Sequence, residues 1–190
     1  MKLNKVVTVF SKIAEICYWV GTALTTVIVI GLISGHDGIV SKLSDVDLAV
    51  EQELTAFGFS ISTVDGAGHV VRGSYVIFFL TMIFMFVLMA MICRNIYLIF
   101  KTTAGETKFS KGQTPFQPDN IRMVREIGYF LLAMPAVGLI MSIISNILYH
   151  TIEVESAMDM HFVAVGLVVI CLSRFFSYGM ELQNDVDGLV

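Results

Sequence analysis

Apolar residues run on for long enough to cross a bilayer in four places along the chain, at about 13–33, 75–98, 127–149 and 162–178. A hydrocarbon core about 30 Å thick needs roughly 20 such residues in a helix. Only a helix or a closed barrel satisfies every backbone N–H and C=O where no water reaches them. The pattern therefore predicts an all-α integral membrane protein, a four transmembrane helix bundle forming a single membrane domain over 1–190. The fourth run is the shortest, and Arg174 can snorkel toward the surface there while Phe175, Phe176 and Tyr178 sit among headgroups.

Between the runs the pattern changes character. In the loop 34–74, Val46, Val50, Leu54 and Phe57 recur at helical spacing opposite Asp45, Asp47, Glu51 and Glu53, which predicts a short amphipathic helix. Phe57, Phe59 and Ile61 then alternate with small polar residues. Asp65-Gly66-Ala67-Gly68 supplies a turn before His69-Val70-Val71, as in a small hairpin capping the bundle. At Gln117-Pro118-Asp119-Asn120 a proline stands at a first helical position with an acid in the first turn, so the third helix is expected to begin ahead of its apolar run. Arg122 and Glu126 follow as an i,i+4 pair. Pro135 predicts a kink in the third span, with Gly138 nearby, because it frees the carbonyl of Leu131. Gly31 and Gly35 form a GxxxG close-approach surface at the end of the first.

Composition agrees with lipid as the solvent: of 190 residues 56% are hydrophobic and 15% charged, more apolar surface than a soluble domain of this length can bury. The net charge of -4, with no basic run interleaved with aromatics, argues against direct nucleic-acid binding. Cys17, Cys93 and Cys171 all lie in apolar segments, away from any disulfide framework or CxxC spacing, and read as packing residues. Lysine and arginine set a direction. Lys2, Lys5 and Lys12 precede the first span, and Arg94, Lys101, Lys108, Lys111, Arg122 and Arg125 border the 99–126 loop. The 34–74 loop has only Lys42 and Arg72, and the 150–161 loop has neither residue type. Both termini and the 99–126 loop are therefore expected in the cytoplasm, with 34–74 and 150–161 outside and the first span an uncleaved signal anchor.

The stretch Gly112-Gln113-Thr114-Pro115-Phe116-Gln117-Pro118-Asp119-Asn120, followed by Arg122 and Ile127-Gly128-Tyr129, resembles the signature of a bacterial four-span family, domain of unknown function 2975. The tail adds to the resemblance through Gly179, Leu182-Gln183, Asp185, Asp187 and Val190, and departs from it at Gly188-Leu189. Both motifs fall on the cytoplasmic side of the expected topology, and the resemblance to a bacterial family implies a bacterial inner membrane as the location. The family carries no established activity; its members are often encoded beside small helix-turn-helix regulators, and the resemblance implies such a soluble partner. Partner-binding candidates are then Pro115, Phe116, Arg122, Arg125, Leu182, Gln183, Asp185 and Asp187.

Charged residues within spans need a partner, and Glu15, Arg94 and Arg174 are expected to form an intramembrane charge clamp tying the first helix to the second or fourth. His36, His69, His150 and His161 map to the outer side, where His150, Glu153 and His161 make a candidate divalent-metal or pH-sensing group. No GxSxG, P-loop, GxGxxG or HExxH is present, which disfavours an enzyme, and no cofactor is expected. The histidines lie near span ends rather than facing each other within helices, which disfavours haem. Two functions are expected from these residues: a non-enzymatic membrane regulator or scaffold docking a cytoplasmic protein, or a small transporter or channel subunit. The second would require a homo-oligomer with a path along Pro135, Ser142, Ser145 and Asn146.

Overall fold

The computed structural model describes residues 2–34, 53–64, 70–108, 110, 114–149, 154–156 and 160–187. Among them, four helices are long and apolar enough to cross a membrane: α1 (Lys2–Ile33), α2 (Arg72–Thr103), α3 (Pro118–Leu148) and α4 (Met160–Asp187). Three short strands accompany them, β1 (Glu53–Ala56), β2 (Phe59–Ser62) and β3 (Val154–Ser156). The helices run past the apolar stretches at several ends, because polar residues such as Lys5, Glu181 and Asp185 continue the helix once the chain leaves the hydrocarbon.

Helix ends follow their capping chemistry. The Gln117 carbonyl accepts the first helical hydrogen bond of α3, from Ile121 N–H at 3.1 Å. Pro118 is the first residue of α3, where its missing N–H costs nothing, and Asp119 faces the positive helix end. At the end of α2, Gly105 adopts φ 79°. Glu106 N–H then reaches the Lys101 carbonyl at 3.0 Å and Gly105 N–H the Thr102 carbonyl at 3.1 Å, the paired bonds of a glycine-terminated helix. α3 stays helical across Pro135.

The chain divides into two compact units. One comprises Trp19–Val87 and Met134–Asp159 and contains the sheet. Strand order is β1-β2-β3, antiparallel throughout, with Leu54 opposite Ile61, Ala56 opposite Phe59, and Ile61 opposite Val154. Phe57 and Gly58 form the two-residue turn between β1 and β2, both with positive φ (53° and 77°), as a primed turn requires to match strand twist. A bulky side chain there is unusual; the Phe57 ring meets Phe86 of α2 edge-on at 6.2 Å, which compensates. Alternation aims Phe59 and Ile61 inward, buried with Leu54, Leu32, Tyr75, Ile77, Phe78 and Met141 in one apolar core. Arg72 donates a hydrogen bond to the Leu32 carbonyl, one of the acceptors left open at the end of α1. Gly73 leaves room for the Tyr149 ring, which a side chain at that position would strike.

The predicted alternation of Phe59 and Ile61 is thus a real strand, but one neighbouring expectation changes. Leu54 belongs to β1 and Phe57 to its turn, so the helical spacing from Val46 does not carry into them; Val46 and Val50 lie outside the described residues. β-Pairing with β2 decides the conformation there, because it satisfies the backbone of both strands and buries Leu54. The predicted 65–68 turn also lies outside the described residues, flanked by an antiparallel bridge between Val64 and Val70. β3 was not expected at all. Gly35 of the GxxxG pair is outside the described residues.

The second unit comprises Met1–Tyr18, Leu88–Ala133 and Met160–Val190. In it α3 and α4 approach closely at Gly128 and Gly166. A Cβ on Gly128 would stand 2.9 Å from the Gly166 carbonyl oxygen, and one on Gly166 would stand 3.1 Å from the Gly128 carbonyl oxygen. Small residues let backbones meet where no hydrophobic effect drives helices together. From Gly166 the packed face of α4 continues through Ile170, Ser173, Phe176, Gly179 and Gln183, a helical spacing that leads out of the span.

Candidate functional site

That α4 face ends against the segment preceding α3. The Phe116 ring lies 5.8 Å from the Phe176 ring and over Gly179, where an added Cβ would come 2.5 Å from the ring edge. The Thr114 hydroxyl donates to Gln183 Oε1 at 2.9 Å. Behind this clasp two amides are sealed in: Gln117 is 2% exposed and Asn120 fully buried. Gln117 Nε2 donates to the Thr114 carbonyl at 2.8 Å, and Asn120 Nδ2 donates to the Pro115 carbonyl at 3.0 Å and the Thr103 hydroxyl at 3.2 Å. Buried amides whose N–H groups reach carbonyls and a hydroxyl on neighbouring segments hold a loop in one conformation, because breaking one of these bonds strands a donor away from water. The segment 114–120 is therefore fastened to α2, α3 and α4 together.

Of the predicted partner-binding residues, Phe116 and Gln183 are engaged within the chain itself, on opposite sides of the clasp. Pro115, Arg122, Leu182 and Asp185 are exposed, Arg125 is half-buried, and the Asp187 side chain lies outside the described residues. Leu182 and Val186, one helical turn apart, are 66% and 61% exposed. They share the end of α4 with Glu181 and Asp185, so this end presents an apolar pair within an acidic surround.

The intramembrane clamp is built differently from the prediction. Glu15 is buried but pairs with Lys12 of its own helix at 2.9 Å. Among the described residues neither Arg94 nor Arg174 forms an ion pair, and both side chains are exposed. Lys12 lies close enough to hold Glu15 without either helix being brought in, which is why the nearer cation wins. The polar tie between α2 and α3 is instead Glu126, which accepts from Asn95 of α2 at 3.1 Å and pairs with Arg122 at 3.2 Å. These groups border a cavity of about 250 Å³ also lined by Arg94, Met91, Leu98, Asp119 and Met123. Tyr97 joins α1 to α2: Lys12 Nζ stands 5.1 Å and Lys101 Nζ 5.5 Å from its ring centroid.

Asn95, Thr114, Phe176 and Gly166 were missed as site-forming residues. Asn95 was the most findable, as an amide inside an apolar run needs a hydrogen-bonding partner. His161 opens α4 and is exposed, while His150 and Glu153 lie outside the described residues; no group of three metal-ligating side chains occurs among those described. In the sheet-containing unit Ser142 and Ser145 are buried and Asn146 is exposed.

The remaining surface declares the solvent. Phe10 is 72%, Val27 67% and Phe175 69% exposed on helices of membrane-crossing length. Such faces are the ordinary exterior of a protein in lipid, and the chain is a multi-pass helical membrane protein. Comparison with family models, with curated proteins and with solved structures gives no match.

Proposed function

We propose that the chain is a non-enzymatic membrane regulator or scaffold whose α4 end, braced by the 114–120 segment, docks a soluble cytoplasmic protein. The observation that carries this reading is the pair Leu182 and Val186. α4 has 28 residues, about 42 Å at 1.5 Å per residue, against a hydrocarbon core of about 30 Å. Counted from Met160, the core is spent near Gly179. Large apolar side chains beyond that point, among Glu181 and Asp185, suit neither water nor an anionic lipid surface. An apolar pair at i,i+4 flanked by acids suits a basic-rimmed groove on another protein.

The lysine and arginine distribution supports placing this end, with both termini and the 99–126 loop, in the cytoplasm, and the resemblance to a bacterial family supports a bacterial inner membrane as the location. The resemblance to domain of unknown function 2975 supports a small helix-turn-helix regulator as the partner class. The clasp unites the two stretches that carry that resemblance, since Thr114 and Phe116 lie in one and Gly179 and Gln183 in the other. A docking helix held at a set angle loses less freedom on binding than a free tail.

The test is co-purification in detergent of the full chain with a candidate regulator encoded beside it. Fully burying a leucine or valine is worth about 1.5–3 kcal/mol, so Leu182→Asp with Val186→Asp is expected to cut recovery at least tenfold, as is deletion of Glu181–Val190. Undiminished recovery in both variants refutes docking at this end.

A further inference from the structure

A separate feature lies where α1 begins and α2 ends. An open cleft of about 700 Å³ there is lined by Asn4, Lys5, Thr8, Lys101 and Glu106, with Val9 and Phe100 at its side. It adjoins a shallow, open apolar groove along the face of α1, bordered by Val6, Val9, Phe10 and Ile13. Lys5 and Val9 line both spaces. The order is that of a phospholipid: the cationic cleft sits toward the helix ends, and the groove runs from it toward the middle of the span.

The charges favour an anion. Among the described residues Lys5 has no carboxylate partner. Lys101 lies over the Tyr97 ring at 5.5 Å and pairs loosely, at 3.9 Å, with Glu106, a largely exposed carboxylate on the same cleft. Two ammonium groups against the one carboxylate of Glu106 leave the cleft a net positive charge to offer a phosphate. Lys12 stands on the other side of Tyr97 and is occupied by Glu15.

We propose that this cleft and groove form a binding site for one anionic phospholipid, its phosphate held by Lys5 and Lys101 and an acyl chain laid along Val6, Val9, Phe10 and Ile13. Basic recesses at the cytoplasmic ends of transmembrane helices bind anionic headgroups in this way. The site is independent of partner docking at the α4 end.

The experiment is native mass spectrometry of the full-length protein released from mixed micelles doped with equal phosphatidylglycerol and phosphatidylcholine, counting retained lipid. Phosphatidylglycerol is expected to be retained preferentially, and Lys5→Gln with Lys101→Gln to lower that retention about tenfold or more. Arg174→Gln, which removes an exposed cation elsewhere, is expected to leave it unchanged. Val9→Ser with Phe10→Ser is expected to lower retention of both lipids at this site. Soluble glycerol phosphate is expected not to displace the lipid. Equal retention of the two lipids, insensitivity to the lysine changes with helicity preserved, or displacement by glycerol phosphate would each overturn the proposal.

Discussion

The crossing of α3 and α4 at Gly128 and Gly166 can be tested by adding a single methyl group. An alanine Cβ at position 128 would lie 2.5 Å from Ile170 Cγ1, 2.9 Å from the Gly166 carbonyl oxygen and 3.2 Å from the Ile170 backbone nitrogen. The isoleucine side chain can turn away. The two backbone atoms cannot, and a comfortable carbon–oxygen contact needs about 3.3 Å or more, so α4 must retreat locally. Overpacking of this kind costs about 1–3 kcal/mol. Glycine-to-alanine change in a helix also gains up to about 1 kcal/mol, so the comparison should be made against a helical glycine with a softer neighbour. Gly21 in α1 is such a site: the nearest atoms to its added Cβ belong to the Phe86 ring, at 3.2 Å and 3.3 Å. The propensity gain is common to both variants and cancels in the difference. Equilibrium unfolding in mixed micelles, followed by far-ultraviolet circular dichroism, is expected to find Gly128→Ala less stable than Gly21→Ala by about 1–3 kcal/mol. Equal stability, or a more stable Gly128→Ala, would mean that the two backbones do not meet at that point.

Other perturbations separate the remaining contacts. Gly58→Ala, which forces a side chain onto φ 77°, is expected to destabilise by about 1–2 kcal/mol, read from the same unfolding curves. Lys12→Gln leaves the buried Glu15 carboxylate without its cation, whereas Glu15→Gln removes the charge and leaves only a half-exposed lysine. The lysine variant is therefore expected to be the less stable of the two by about 1 kcal/mol. Asn95→Leu takes from Glu126 the donor it receives across the helices, and is expected to cost about 1 kcal/mol in thermal or chemical unfolding. A stabilising effect of Asn95→Leu would show that apolar packing outweighs the Asn95–Glu126 bond.

The parts of this fold that could be read along the chain are those decided locally. The membrane-length apolar runs are helices, Pro118 opens α3, and Phe59 and Ile61 alternate as a strand, each following from period, length or a fixed proline φ. The parts that escaped are decided by residues far apart. β3 exists because Val154 and its neighbours meet β2, some ninety positions earlier in the chain. The clasp joins Thr114 to Gln183, and the helix crossing joins Gly128 to Gly166; no pattern within either segment announces its partner. Glu15 illustrates the opposite error. A long-range charge clamp was expected where the lysine three residues earlier suffices. The Phe57-Gly58 turn lacks the usual Asn-Gly signal, since the Phe86 ring rather than local preference stabilises phenylalanine there.

The most direct test of the account is the sidedness of the α4 end. In a background with Cys17, Cys93 and Cys171 replaced, single cysteines at Asn184 and Ser60 should be probed in intact cells with a membrane-impermeant maleimide. The account predicts labelling of Ser60→Cys without permeabilisation, and of Asn184→Cys only after the membrane is opened. Labelling of Asn184→Cys in intact cells would place the end of α4 outside and contradict the cytoplasmic docking surface.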